Sequence, residues 1–203
     1  MPSTAKYVQA LYNHVGQHVS LLQEHRELLL SIVHLKRLLK RQYLLAEGEI
    51  CRYESFVVEG CLRTFYIDEK GTEHSLHFAV EGWWISDLES FLKQTASRYN
   101  IEALETSIVL QIDYTSLESL YLQAPVFERY FRILHQNAFI AQSKRILQNI
   151  SRSGEEKYAS FLETYPQLHQ RIPQKYIASY LGITPVFLSQ TRKHRTTKSE
   201  KLK

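Results

Sequence analysis

Between Tyr7 and Lys40 apolar residues recur at three- and four-residue intervals, with Leu21-Leu22, Leu28-Leu29, Ile32-Val33 and Leu35 in step and no proline among them. That period predicts helix across 7–40. Residues 41–113 change pattern: Gly48, Gly60, Gly71 and Gly82 punctuate short β-rich runs, Ser55–Val58, Leu62–Ile67, Ser75–Phe78 and Ile108–Ile112. Strands delivered at this spacing predict an antiparallel barrel or sandwich, and Asp68-Glu69-Lys70-Gly71 is its clearest hairpin turn. After Pro125 the helical period returns over about 25 residues in two stripes, Phe127, Phe131, Leu134, Ala138, Ala141 and Val126, Tyr130, Ile133, Asn137, Ile140, Lys144, Leu147. One seam is expected on the β-rich domain; the other suits either a second copy of the helix, with Asn137 fixing register, or the same chain's core. Ser153-Gly154-Glu155-Glu156 reads as a capping box opening a short helix that Tyr165-Pro166 ends.

The most specific pattern spans Gln174–Lys193. Two helices crossing steeply need a small residue at their contact and a turn residue tolerant of positive φ, and Ala178 and Gly182 stand four apart in those roles. Ile177, Leu181, Ile183 and Leu188 take the inward positions, and Thr184-Pro185 supplies an N-cap and a first-turn proline for the second helix. The face left outward holds Gln174, Lys175, Thr184, Pro185, Ser189, Gln190, Arg192 and Lys193, with Arg195 beyond. Short polar groups for base edges, followed by cations for phosphates, are what a recognition helix presents to a major groove. Pro185 and Val186 cannot hydrogen-bond through their side chains, so Ser189 and Gln190 are the expected readers, Gln190 toward adenine.

Charge sharpens this reading. The 203 residues carry a net +4, but residues 171–203 hold Arg171, Lys175, Arg192, Lys193, Arg195, Lys198, Lys201 and Lys203 against Glu200 alone, so the body before them is mildly acidic. A basic end on an acidic body is the footprint of a nucleic-acid partner. The chain is 44% hydrophobic, without an apolar run of membrane-spanning length or a secretory leader, and a cytoplasmic protein with no membrane partner is expected. Cys51 and Cys61 are too few for a thiolate metal cage and are expected to be reduced.

In order, a β-rich domain, a long helix and a basic helix-turn-helix resemble the Crp/Fnr superfamily of bacterial transcription regulators. The stretches that carry the resemblance are Val57–Arg63, Glu81–Leu88, Asn100–Glu105 and Pro173–Pro185. It implies an α+β chain: an antiparallel β-roll of the jelly-roll or double-stranded β-helix kind with flanking helices over 1–120, resembling a cyclic-nucleotide-binding domain, a dimerisation helix over 121–150, and an all-α head over 151–203. It also implies a homodimer on a two-fold-related DNA operator. Only Thr196–Lys203 follows Arg195, short for the two-stranded wing many relatives carry, so a wingless head is expected.

Family members that bind cyclic AMP pair a glycine–glutamate step with an arginine–serine or arginine–threonine step that neutralises the phosphate. The matching positions here are Ser86-Asp87 and Ser97-Arg98. The glycine is absent, the carboxylate is one methylene shorter and the arginine is displaced by one position, which argues against ordinary cyclic AMP as cofactor. Ser86, Asp87, Ser97 and Arg98 remain the candidate site for a small anionic effector, with a surface pairing of Arg98 to Glu102 or Asp87 as the plainer role. The rival functions are a ligand-independent DNA-binding module and a sensor that signals through protein contacts.

His14, His18 and His25 lack a carboxylate or thiolate at ligand spacing and are expected to face solvent rather than a metal. His74 and His77 fall on opposite faces of one strand. Trp83-Trp84 is expected in the core at the lip of the roll. No nucleophile elbow, phosphate loop, zinc-protease or dinucleotide motif occurs, so no catalytic residue is assigned.

Overall fold

A computed structural model describes residues 4–200, and the side chains of residues 6–194. The chain divides into two compact units. One comprises the residues up to Tyr66 with His77–Ala138, the other Ile67–Leu76 with the residues from Phe139 onward.

The first unit opens with α1 (Thr4–Gly16) and α2 (Gln23–Ile32). The helix predicted across 7–40 is therefore broken at 17–22 and stops at Ile32. His34–Leu38 is instead strand β1, paired antiparallel with a strand about 70 residues away in sequence. Then come β2 (Tyr43–Leu45), β3 (Tyr53–Glu59), β4 (Leu62–Ile67), β5 (Glu73–Ala79), β6 (Trp84–Ile85), α3 (Leu88–Lys93), β7 (Asn100–Ala103), β8 (Ser107–Asp113) and α4 (Tyr114–Gln123). Among the described residues they form two four-stranded sheets, β1-β8-β3-β6 and β2-β7-β4-β5. The fold is α+β, with the β-roll anticipated from the sequence, and the four β-rich runs fall within β3, β4, β5 and β8.

The roll is filled from both sheets by Leu38, Phe56, Val57, Leu62, Ile101, Val109 and Leu110, and closed by Val8, Leu11 and Val15 of α1. The β3–β4 turn brings Gly60 so close to β8 that a β-carbon there would fall on Ser107, 2.7 Å from its Cα, and its φ of +102° is open to glycine. Across the outer face of the second sheet, buried Arg63 donates from Nε and Nη2 to Glu102 Oε1 at 3.1 and 2.7 Å and stacks 4.0 Å from the Phe65 ring centroid.

The long helix α5 (Val126–Ser151) follows. Its two stripes do not divide between two partners along its whole length. Phe127 and Phe131 of one stripe and Tyr130 of the other are all buried, whereas every residue from His135 to Lys144 is exposed. Burial changes along the helix rather than around it.

The second unit holds the turn of the β4–β5 hairpin, α6 (Gly154–Thr164), α7 (Leu168–Arg171), α8 (Gln174–Leu181) and α9 (Pro185–Glu200). The predicted turn closes through Gly71 N to Asp68 O at 2.8 Å, with Asp68 Oδ1 accepting from Lys70 N and Thr72 N. The capping box is present: Ser153 N donates to Glu156 Oε2 at 2.8 Å and Glu156 N to Ser153 Oγ at 3.3 Å.

Candidate nucleic-acid interface

Crossing α8 and α9 depends on the link between them. Ile183 N donates to Ala178 O at 3.0 Å and Gly182 N to Ser179 O at 3.1 Å, a Schellman closure in which Gly182 takes φ +66°. Thr184 Oγ1 then accepts from Phe187 N at 3.1 Å and caps α9. Ile177, Ala178, Leu181 and Leu188 are buried among Tyr158, Phe161, Leu168 and Ile172, while Ile183 is half-buried.

That packing fixes the rotation of α9. Leu188 and Thr191 face inward at 0% and 5% exposure, so Pro185, Val186, Ser189, Gln190 and Lys193 are left outward and Arg192 lies half-buried at the margin. Gln174 and Lys175 are exposed on α8, with Lys175 Nζ 4.6 Å from the Tyr176 ring centroid. Thr184 is exposed as well. The side chain of Arg195 lies outside the described residues. Phe187 is turned partly inward, against Gly154 and Ile183.

Two supports of this head had no sequence signal. Ser179 Oγ donates to Glu73 O at 2.9 Å and accepts from Ser75 N at 2.8 Å, tying α8 to the hairpin turn. Arg145 of α5 stacks 3.9 Å from the Tyr180 ring centroid, donates to Tyr180 O at 3.1 Å and reaches Leu76 O. Residues separated by about 70 and about 105 positions make these contacts, which local spacing cannot reveal.

Inside the roll a cavity of about 370 Å³ is lined by apolar Leu45, Ile85 and Ile101 and by polar Ser55, Ser86 and Gln111, with Lys36 and Arg52 also on its wall. Of the four candidate effector residues, Ser86 lines this space. Asp87 and Ser97 are buried and bonded to each other, Ser97 Oγ donating to Asp87 Oδ2 at 2.7 Å, and Asp87 Oδ1 caps α3 by accepting from Ser90 N. Arg98 is exposed; its charge assists Lys93 in holding the Glu89 carboxyl below its ordinary range. Glu102, considered as its partner, is taken by Arg63. Behind Ser86 lies Glu54, unmarked by any local pattern, a carboxyl at 4% exposure that accepts from Ser86 Oγ at 3.0 Å and that burial pushes up to about 7.

Residues 35–124 match the family model described as a cyclic nucleotide-binding domain. Over 168 residues the chain is 27% identical to the fumarate and nitrate reduction regulatory protein of Vibrio cholerae, covering 76% of this chain and 66% of that one, just under two thirds of the relative's length. In three dimensions it is similar to FixK2 of Bradyrhizobium japonicum, with a TM-score of 0.71 at 18% identity over 83% of this chain and 86% of that one. It is also similar to a putative transcriptional regulator of the Crp/Fnr family from Eubacterium rectale, at 0.68 and 17% over 88% and 85%. The fold is thus shared with these solved structures, and residues 35–124 carry the likeness to a cyclic nucleotide-binding domain.

The amino-terminal histidines sit in surroundings the sequence did not suggest. His14 and His18, expected in solvent, are half-buried with ring centroids 5.3 Å apart. Tyr130 Oη lies 2.7 Å from His14 Nδ1 and accepts from Trp84 Nε1 at 2.8 Å, which leaves the Tyr130 proton available to a neutral His14 imidazole. Burial, followed by the neighbouring His18, holds the His14 imidazole below its ordinary range, consistent with that neutral form. His25 belongs to a different helix, where its Nδ1 accepts from Leu22 N. Among the described residues no cluster of three metal-ligating side chains occurs, and no helix is long and apolar enough to cross a membrane. Cys51 and Cys61 are buried thiols, not joined to each other in a disulfide, and burial raises the Cys51 thiol to about 11.

Proposed function

We propose that this chain is a DNA-binding transcription regulator of the Crp/Fnr kind that acts as a homodimer in the cytoplasm, on a two-fold-related operator read by Thr184–Arg195 of each copy. One observation carries the reading: α9 is anchored by Leu188 and Thr191, leaving Ser189, Gln190 and Lys193 outward beside exposed Gln174 and Lys175. Polar groups on the amino-terminal turns meet base edges while Arg192, Lys193, Arg195 and Lys175 meet phosphates. Residues 1–120 serve as sensor, 121–150 as the dimerising segment and 151–203 as the head. Second copies associate through the exposed apolar residues of α5, Phe139, Ile140, Ile146, Leu147 and Ile150, at 51–80% exposure.

Titrating binding to random-sequence duplex between about 50 and 200 mM salt tests this. Neutralised phosphates release counterions, so affinity falls by at least about a hundredfold over that range. A flat response refutes the reading in favour of signalling through protein contacts. Arg192→Ala weakens every duplex about equally.

A second reading concerns the roll alone. Asp87 and Ser97 satisfy each other and Arg98 stands in solvent, which favours a roll that does not hold cyclic AMP through these groups and a head competent without it. Millimolar cyclic nucleotide then leaves the melting temperature unchanged, since a ligand that binds the native state raises it.

A further inference from the structure

We infer that the α9 face selects A·T base pairs, with Val186 packing on a thymine methyl and Gln190 pairing with an adenine one turn further on. This rests on the DNA-binding reading above and adds the base chemistry that the reading leaves open.

Three observations carry it. Val186, Ser189, Gln190 and Lys193 lie three and four residues apart on one side of α9, opposite buried Leu188 and Thr191. Val186 is 68% exposed on the first turn, so its two methyl groups are presented rather than packed. A β-branched residue lowers helix propensity, so neither local conformation nor the core accounts for valine there. An apolar group at the amino-terminal end of a groove-reading helix has one specific complement in the major groove, the C5-methyl of thymine.

Guanine is read by a forked or pointed cation at O6 and N7, and cytosine by a carboxylate at N4. Pro185–Thr191 contains no Arg, Lys, Asp or Glu. The first cations on this helix, Arg192 and Lys193, come in its third turn, where the recognition geometry gives them phosphates. Gln190 is exposed and carries both a donor and an acceptor, the pair that adenine N7 and N6 require. Ser189 accepts either kind of base. Val186 and Gln190 are separated by about 6 Å of helix rise, within reach of neighbouring base pairs.

The experiment selects duplexes from a random pool with the full-length protein, then measures affinity for the selected site with single thymines replaced by deoxyuridine, which removes the methyl alone. The expected site has A·T pairs at two neighbouring positions of each half. One uridine replacement weakens the wild-type protein by about three- to fivefold, the worth of one buried methyl. Val186→Ser binds the thymine and uridine sites equally, and Gln190→Ala loses the preference at the neighbouring position. Melting of both variants stays with the wild type, since both side chains are exposed. Selected sites with fixed G·C pairs there, or equal wild-type binding to thymine and uridine at every position, overturn the base assignment while leaving DNA binding intact. If no duplex is enriched and binding is insensitive to salt, the DNA-binding reading itself falls.

Discussion

Glu54 is the residue whose environment most contradicts its chemistry. It sits on β3 at 4% exposure, with the Ser86 hydroxyl on Oε1, and burial raises its pKa from 4.5 to about 7. The folded state therefore binds a proton that the unfolded chain releases between those values, and stability falls as pH rises through about 7. The ionised form costs on the order of 3 kcal/mol. His14 acts in the opposite sense: its lowered pKa stabilises the fold above the ordinary imidazole range and that contribution fades as pH falls. Comparing wild type with Glu54→Gln separates the two, because His14 is common to both. The variant, isosteric with the neutral acid, is expected to match wild type in urea denaturation near pH 5 and to exceed it by about 2–3 kcal/mol near pH 8. Parallel curves at the two pH values would show that Glu54 is ionised in the fold. Neither residue announced itself in the sequence, because a lone glutamate in a strand and a histidine on a helix acquire these shifts from burial, which only the folded chain imposes.

At the scale of elements, legibility followed the range of the interactions responsible. The capping box at Ser153, the Asp68–Gly71 turn and the Gly182 closure each involve residues within five positions of one another, and each was readable. The stretch His34–Leu38 was not: Leu35 continues a helical period, and only pairing with Ser107–Gln111 makes it a strand. The buried Asp87–Ser97 bond likewise links residues ten apart across α3, so the matched positions were findable and their mutual satisfaction was not. Glycines with positive φ show the same division. Gly182 has nothing within 4 Å of where a β-carbon would be, whereas at Gly60 the added atom meets Ser107. Gly182→Ala is expected to cost about 1 kcal/mol, the conformational penalty alone. Gly60→Ala adds a clash with strand backbone and is expected to cost at least about 3 kcal/mol or to abolish folding. Denaturation midpoints rank the two, and equal losses would mean that the β3–β4 turn yields freely.

For the whole molecule, the decisive matter is what covers the distal part of α5. Phe139, Ile140, Ile146, Leu147 and Ile150 stand 51–80% exposed on a helix whose first turns are well buried. Isolated exposed leucines are ordinary, but five large apolar residues within twelve positions form a surface that water disfavours. In the proposed homodimer a second copy of α5 would cover that surface with residues of matching kind and would place two basic heads on one assembly. The adjacent faces of a two-fold operator lie roughly 34 Å apart, and only a dimer occupies both at once. Ile140→Glu with Leu147→Glu introduces charges where the helices would meet and touches nothing in the core. The double variant is expected to sediment as a monomer, to keep the far-ultraviolet dichroism of the wild type, and to lose at least about tenfold in affinity for a two-fold site while binding a single half-site as the wild type does, since linkage of two heads raises the local concentration of the second. A wild-type chain that sediments as a monomer at micromolar concentration, or a double variant that remains dimeric, would remove α5 as the dimer seam and leave its exposed stripe to another partner.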